Sequence, residues 1–332
     1  MAAQDDVGIA AVGTAPSAAY ADFELTTTGR YGRMQEQYRL LVDEQLICGL
    51  QVHIGVSDKD LAVEIMPRIA RDLPVLTALS ASSPYWNEQD TGYSSIRSII
   101  RQRWPTAGSP GPVGSAREYV ELVRDLISTG VIADAKMAYF DVRPSSHAPT
   151  LELRVCDACP IVDDAVLIAG LFRASIRRAE VDIEQGLGFN PVPPPVHRAA
   201  TWRAARGGLS GDLLDHTRRP KPMSATEAVR ALVQRLQPQL VKLGDWDEVH
   251  DLSETTLAPG NSADRQRAAF AERGQLSDVV QLVVARDPRA RRGSAAGRPR
   301  LRRYRSRAGD EAVGPSHRPR PVYRDLVEFW PR

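Results

Sequence analysis

At 332 residues, with 42% apolar side chains and a net charge of +2, the chain can form one large domain or two ordinary ones around a proper core. No apolar run reaches the roughly 18 residues of a membrane span, and Asp5 and Asp6 stand where a secretion signal carries positive charge. A soluble, cytoplasmic protein without a membrane partner is therefore expected.

Three cysteines, Cys48, Cys156 and Cys159, make no disulfide framework. A single Cys156-x-x-Cys159 without a second pair points to structure rather than to zinc or redox chemistry. Charge divides the chain unevenly. Residues 286–332 hold 14 Arg, no Lys and 5 acids, a net +9, which leaves residues 1–285 at −7. Two regions are expected: a folded body over 1–285 and an Arg-, Gly-, Pro- and Ser-rich tail over 286–332, disordered by composition. Tyr304 is the only ring among the densest arginines, which argues against nucleic acid as the tail's partner.

In chain order, residues 7–12 are the one strand-like run of an Ala- and Gly-rich start, and a helix is expected over 35–44. Residues 48–56 alternate, with Leu50, Val52, Ile54 and Val56 on one face and Gln51 and His53 on the other. Gly49 and Gly55 leave room on that polar face. Ser57 or Asp58 caps a helix through Leu61, Ile65, Ile69 and Leu73, interrupted by Pro67 and Pro74. Residues 82–92 read as a polar and aromatic loop of the kind that binds ligands. Ser115 opens a helix with Val120, Val123, Leu126 and Ile127 on its core face, stopped by Gly130. A third strand is expected over 138–142.

Residues 150–157 alternate again: Leu151, Leu153 and Val155 point one way, and Glu152, Arg154 and Cys156 the other. A carboxylate and a guanidinium two residues apart are costly to bury without partners, so this face is expected to line a site. Asp141 and Arg143 repeat the pattern. A long helix follows to about residue 185, then a helix over 197–209 with Arg203 and Arg206 on one face, able to grip a phosphate or carboxylate. Ser224-x-x-Glu227 is a capping box for a helix through Val229, Leu232, Leu236, Leu240 and Val241. Helices from Asn261 or Ser262 and over 276–284 complete the body. No P-loop, G-x-G-x-x-G or serine-nucleophile setting is present.

Residues 48–56, Ser83-Pro84-Tyr85-Trp86 with Asp90-Thr91-Gly92-Tyr93, and Phe140-Asp141-Val142-Arg143-Pro144 followed by residues 152–157 together resemble the carboxylate-amine ligase family, glutamate-cysteine ligase type 2. The resemblance covers about residues 8–284. It implies an α+β, glutamine-synthetase-like fold, in which a curved antiparallel sheet holds the site and helices pack outside. It also implies an ATP-dependent reaction in which an acyl phosphate is attacked by an amine, with glutamate and cysteine, or another amine, as substrates. ATP and Mg²⁺ are the implied cofactors. Glu152 and His53 are then metal or nucleotide-phosphate ligands, Arg154 the catalytic group on the transferring phosphoryl, and Arg97 a catalytic group for the remaining anionic groups. Gln51, Arg143, Arg203 and Arg206 bind ATP or substrate.

Two departures qualify the expectation. Gln51 stands where relatives commonly carry a second His, and no glutamate-rich first strand precedes residue 8, so an N-terminally truncated member is expected. The competing expectation is a catalytically inactive remnant that binds ligand or pairs with an intact ligase; self-association as a homo-oligomer is left open.

Overall fold

The computed structural model describes residues 9–19, 23–26, 28–215 and 219–284. Expectations for residues 1–8 and for the tail over 286–332 lie outside the described residues. All described residues except 146–148 group into one packing unit.

Residues 9–12 carry no strand. The helix expected over 35–44 is split, because Arg39 adopts a left-handed φ of 51° between α1 (Gly29–Tyr38) and α2 (Leu40–Asp43). Strand β1 spans Val52–Gly55, and Asp58 then caps α3 (Lys59–Ile69) by accepting the Leu61 N–H at 2.8 Å. Pro67 lies near the end of α3 and Pro74 in the first turn of α4 (Leu73–Ser80), so the prolines divide the segment into two helices.

The loop expected over 82–92 contains a two-residue hairpin, β2 (Tyr85–Trp86) and β3 (Gln89–Asp90). Asn87 and Glu88 both take positive φ, as such a turn demands; Asn is a usual choice there and Glu is not, which hid the hairpin. Ser95 caps α5 (Ile96–Arg101), and Ser115 caps α6 (Ala116–Ser128), beyond which Gly130 is left-handed as expected.

The strand expected over 138–142 starts only at its end, as β4 (Val142–Pro144). The carbonyls before it are occupied by guanidinium groups: Arg143 takes those of Lys136 and Ala138, and Arg101 those of Tyr139 and Phe140. With those acceptors used, no ladder forms there.

Strand β5 (Thr150–Leu153) lies between β1 and β4, antiparallel to both. The remaining elements are α7 (Val162–Glu184), α8 (Pro194–Gly207), the hairpin β6 (Asp212–Leu214) and β7 (Pro222–Ser224), α9 (Ala225–Leu243), α10 (Trp246–Leu257), α11 (Ser262–Arg273) and α12 (Leu276–Val284). The Ser224–Glu227 capping box forms, and α9 runs on through Pro238. The fold is α+β and mostly helical, with the strands in a three-stranded antiparallel sheet and two hairpins.

One face of the larger sheet meets α3 and α7. Leu151, Leu153 and Val142 from the strands are buried, as are Ile65 and Ile69 from α3, Leu76 and Leu79 from α4, and Leu167, Ile168, Leu171 and Phe172 from α7. Leu153 is wholly enclosed on the central strand, so truncation leaves a cavity that rigid neighbours on both sides cannot close. Leu153→Ala is expected to lower unfolding free energy by about 3 kcal/mol, measured as a shift of the urea midpoint at unchanged slope.

Candidate active site

Strand pairing gathers four of the eight nominated residues. His53 of β1, Glu152 of β5 and Arg143 of β4 are direct cross-strand partners in one row, and Arg154 follows Glu152 on the same face. Glu152 is 2% exposed, a cost that only paired charge can offset. Its Oε2 accepts from Arg143 Nε at 2.9 Å and its Oε1 from Arg154 Nη1, while His53 Nε2 stands 3.9 Å from Oε1. Burial raises the Glu152 pKa, but the two guanidinium groups outweigh it and hold the carboxyl below its usual range. The face therefore carries one anion against two permanent cations, with His53 at its exposed edge. Arg154 also lies over the Tyr139 ring, 5.9 Å from its centre.

The alternation does not continue to Cys156. Between the pairs Val52↔Leu153 and Gly49↔Asp157, two residues lie on the β1 side and three on the other, so the chain after β5 carries a one-residue bulge. The extra residue puts Cys156 out of phase with Glu152 and Arg154; it is fully buried, with its Sγ 3.7 Å from the Leu76 carbonyl, and burial pushes the thiol up to about 12.

The other nominated residues stand elsewhere. Arg97, 6% exposed, donates to the carbonyls of Val155 and Arg154, at 2.8 and 3.1 Å. Gln51 is exposed just before β1. On α8, Arg203 faces Asp212 at 3.7 Å, and Arg206 donates to the Gly92 carbonyl and covers the Tyr93 ring. None of the eight lines the cavity of about 280 Å³ bordered by Pro74, Val196, His197, Ala200 and Leu214.

Sequence reasoning overlooked a second buried charge centre. Asp141, 4% exposed, accepts from Arg101 Nη1 at 2.7 Å and from His197 Nε2 at 2.9 Å. Burial opposes its ionisation, yet the His197 hydrogen bond and the Arg101 charge bring its pKa down to about 2. The Asp141-x-Arg143 repeat was its one visible trace; nothing local marks His197 as a partner 56 residues away.

Magnesium needs several oxygen ligands. Among the described residues no group of three His, Cys, Asp or Glu comes together for a metal ion. Both Glu152 oxygens are engaged by arginines, and His53 Nδ1 lies 2.9 Å from Thr150 Oγ1. The described residues alone do not fit a magnesium site. Arg154 and His53 keep partial access to solvent, at 15% and 31% side-chain exposure.

Two outcomes follow for the buried charges. Replacing Glu152 by Gln leaves two guanidinium groups without their counter-charge, and the unfolding free energy is expected to fall by about 3 kcal/mol in urea titrations at pH 7. Asp141 has a folded pKa depressed from 3.8 to about 2, so its contribution is complete above 3.8 and is lost as pH falls through 2. Asp141→Asn should lower stability at pH 7 and flatten its pH dependence between those two values, as read from denaturation curves across pH.

Comparison with known proteins shows the family of the chain. The model of glutamate-cysteine ligase family 2 (GCS2) matches residues 1–282. A Frankia casuarinae protein named "Putative glutamate--cysteine ligase 2-2" is 47% identical over 339 residues, covering 97% of this chain and 39% of that protein. A protein of the same name from Mycolicibacterium smegmatis is 50% identical over 280 residues, covering 84% of this chain and 70% of that one. The chain thus spans about two fifths of the Frankia relative's length. The crystal structure of glutamate–cysteine ligase from Francisella tularensis in complex with AMP has a similar fold, with a TM-score of 0.60 at 12% identity over 83% of this chain and 72% of that one. The chain belongs to glutamate-cysteine ligase family 2.

Proposed function

We propose that this chain supplies the glutamate–cysteine ligase-like, ATP-dependent centre of a carboxylate-amine ligase. The observation that carries the reading is the family match over residues 1–282. The paired row of His53, Glu152, Arg143 and Arg154 supports it, because an ionised carboxylate holding two guanidinium groups forms a preorganised anion seat. AMP in the Francisella fold relative supports a nucleotide as one ligand.

In the proposed reaction a carboxylate oxygen of glutamate attacks the terminal phosphorus of ATP, the bond to the bridging oxygen breaks, and ADP leaves. The amine of cysteine, or of another acceptor, then attacks the acyl carbon. Phosphate departs with the bonding electron pair, the amine loses its proton, and an amide remains. Charge accumulates on the phosphoryl oxygens in the first step, and Arg154, oriented by Glu152, is the group of this chain placed to meet it. Arg143 fixes Glu152 from the other side, and His53 borders the entrance. Magnesium has no complete seat among the described residues, so the neutralisation assigned to this chain is that of its arginines. The three-stranded sheet is, in this reading, part of the curved sheet of the ligase fold, and the reaction runs in the cytoplasm. No helix among the described residues is long and apolar enough to cross a membrane.

A second reading, favoured by the lack of a metal-donor trio among the described residues, is nucleotide binding without turnover. ATP consumption by the full chain with magnesium, in the presence and absence of glutamate and cysteine, separates the two. Consumption that requires both amino acids is expected, falling about 100-fold in Arg154→Ala. Calorimetric binding of Mg-ATP without consumption supports the second reading, and the absence of both binding and consumption overturns the ligase assignment for this chain.

A further inference from the structure

The bulge beyond β5 poses a problem that Arg97 solves. A one-residue bulge disrupts the ladder and leaves backbone groups without strand partners. Here the carbonyls of Arg154 and Val155 are held by the two terminal nitrogens of the Arg97 guanidinium. On its other side, the Arg154 N–H donates to the Asp141 carbonyl at 2.9 Å. The peptide groups that flank the Arg154 Cα are therefore fixed from both directions.

Arg97 is itself set in place. Its own N–H donates to Ser83 Oγ at 3.1 Å; Ser83 Oγ and Ser95 Oγ donate to the two oxygens of Asp157, at 2.6 and 2.8 Å. Burial lowers the Arg97 pKa to about 10, with Asp157 working against that shift, so the group stays charged near neutral pH. Gly49 completes the arrangement: a Cβ there would lie 2.2 Å from Arg97 Nη2 and 3.1 Å from the Cys156 carbonyl. The guanidinium occupies the space a side chain at residue 49 would need.

We infer that Arg97 is a positioning residue: by clamping the bulge carbonyls, it fixes the Arg154 side chain against Glu152. Both terminal nitrogens of its guanidinium are engaged by backbone carbonyls. Its catalytic consequence rests on the proposed ligase reading, but its effect on Arg154 does not.

The experiment uses the full chain with ¹⁵N-labelled arginine. The Arg154 Nε–H signal, assigned by its loss in Arg154→Lys, is expected to be sharp and slow to exchange with water, since Nε is buried. Arg97→Lys keeps the charge but cannot span both carbonyls. Gly49→Ala displaces the same guanidinium without altering it. Each variant is expected to raise exchange at Arg154 Nε–H at least about tenfold while most backbone amide signals keep their positions, and the double variant to add little to the larger single effect. In protein that turns over, kcat should fall about tenfold or more with KM for ATP held within about threefold, a split that general loss of folded protein does not produce. A fast-exchanging Arg154 signal in the unaltered chain overturns the inference. So does an unchanged signal in Gly49→Ala, the milder variant, or additive effects in the double variant. Absence of turnover in the unaltered chain overturns the ligase reading alone, since the exchange measurement still decides the role of Arg97.

Discussion

The site depends on one carboxylate. Glu152 lies at the centre of the central strand, almost wholly withdrawn from water, and every charged neighbour on that face is arranged around it. A buried carboxylate with one arginine would be neutral and inert; with two it becomes the smaller charge in its own cluster. Attraction to Glu152 brings Arg143 and Arg154 together, and the cluster keeps an excess of positive charge. The energetic penalty of burying three charges is offset only while all three remain, so the integrity of this face rests on all three side chains together.

Much of this was visible as periodicity. Period two in residues 48–56 and 150–157 put His53, Glu152 and Arg154 on polar strand faces, and cross-strand register then made neighbours of the residues so grouped. Caps were equally plain: Ser115, Ser224 and Asn261 each open the helix expected of them. These signals are local, confined to a few adjacent residues, and survive burial because they govern backbone hydrogen bonds directly.

What escaped was non-local. The bulge after Leu153 adds one residue against the partner strand, and no pattern within residues 150–157 discloses it, so Cys156 was assigned to the wrong phase. The strand expected over 138–142 was displaced by Arg101 and Arg143, whose side chains took the backbone acceptors a ladder would have used. In both places a long, forked cation substitutes for main-chain pairing. Arginine reads in sequence as surface charge or ligand contact; here three of them act as fasteners for irregular backbone.

Asp141 ties together parts of the chain that share no strand or helix. One carboxylate oxygen holds α5 through Arg101, the other holds α8 through His197, and the backbone carbonyl of the same residue holds Arg154. The far end of α8 in turn receives the N–H groups of Ser94 and Ser95 at the Ala205 carbonyl. Mechanically this is a crossbar: turning α8 about its axis would load the Asp141 contacts that reach the backbone at Arg154, just beyond β5.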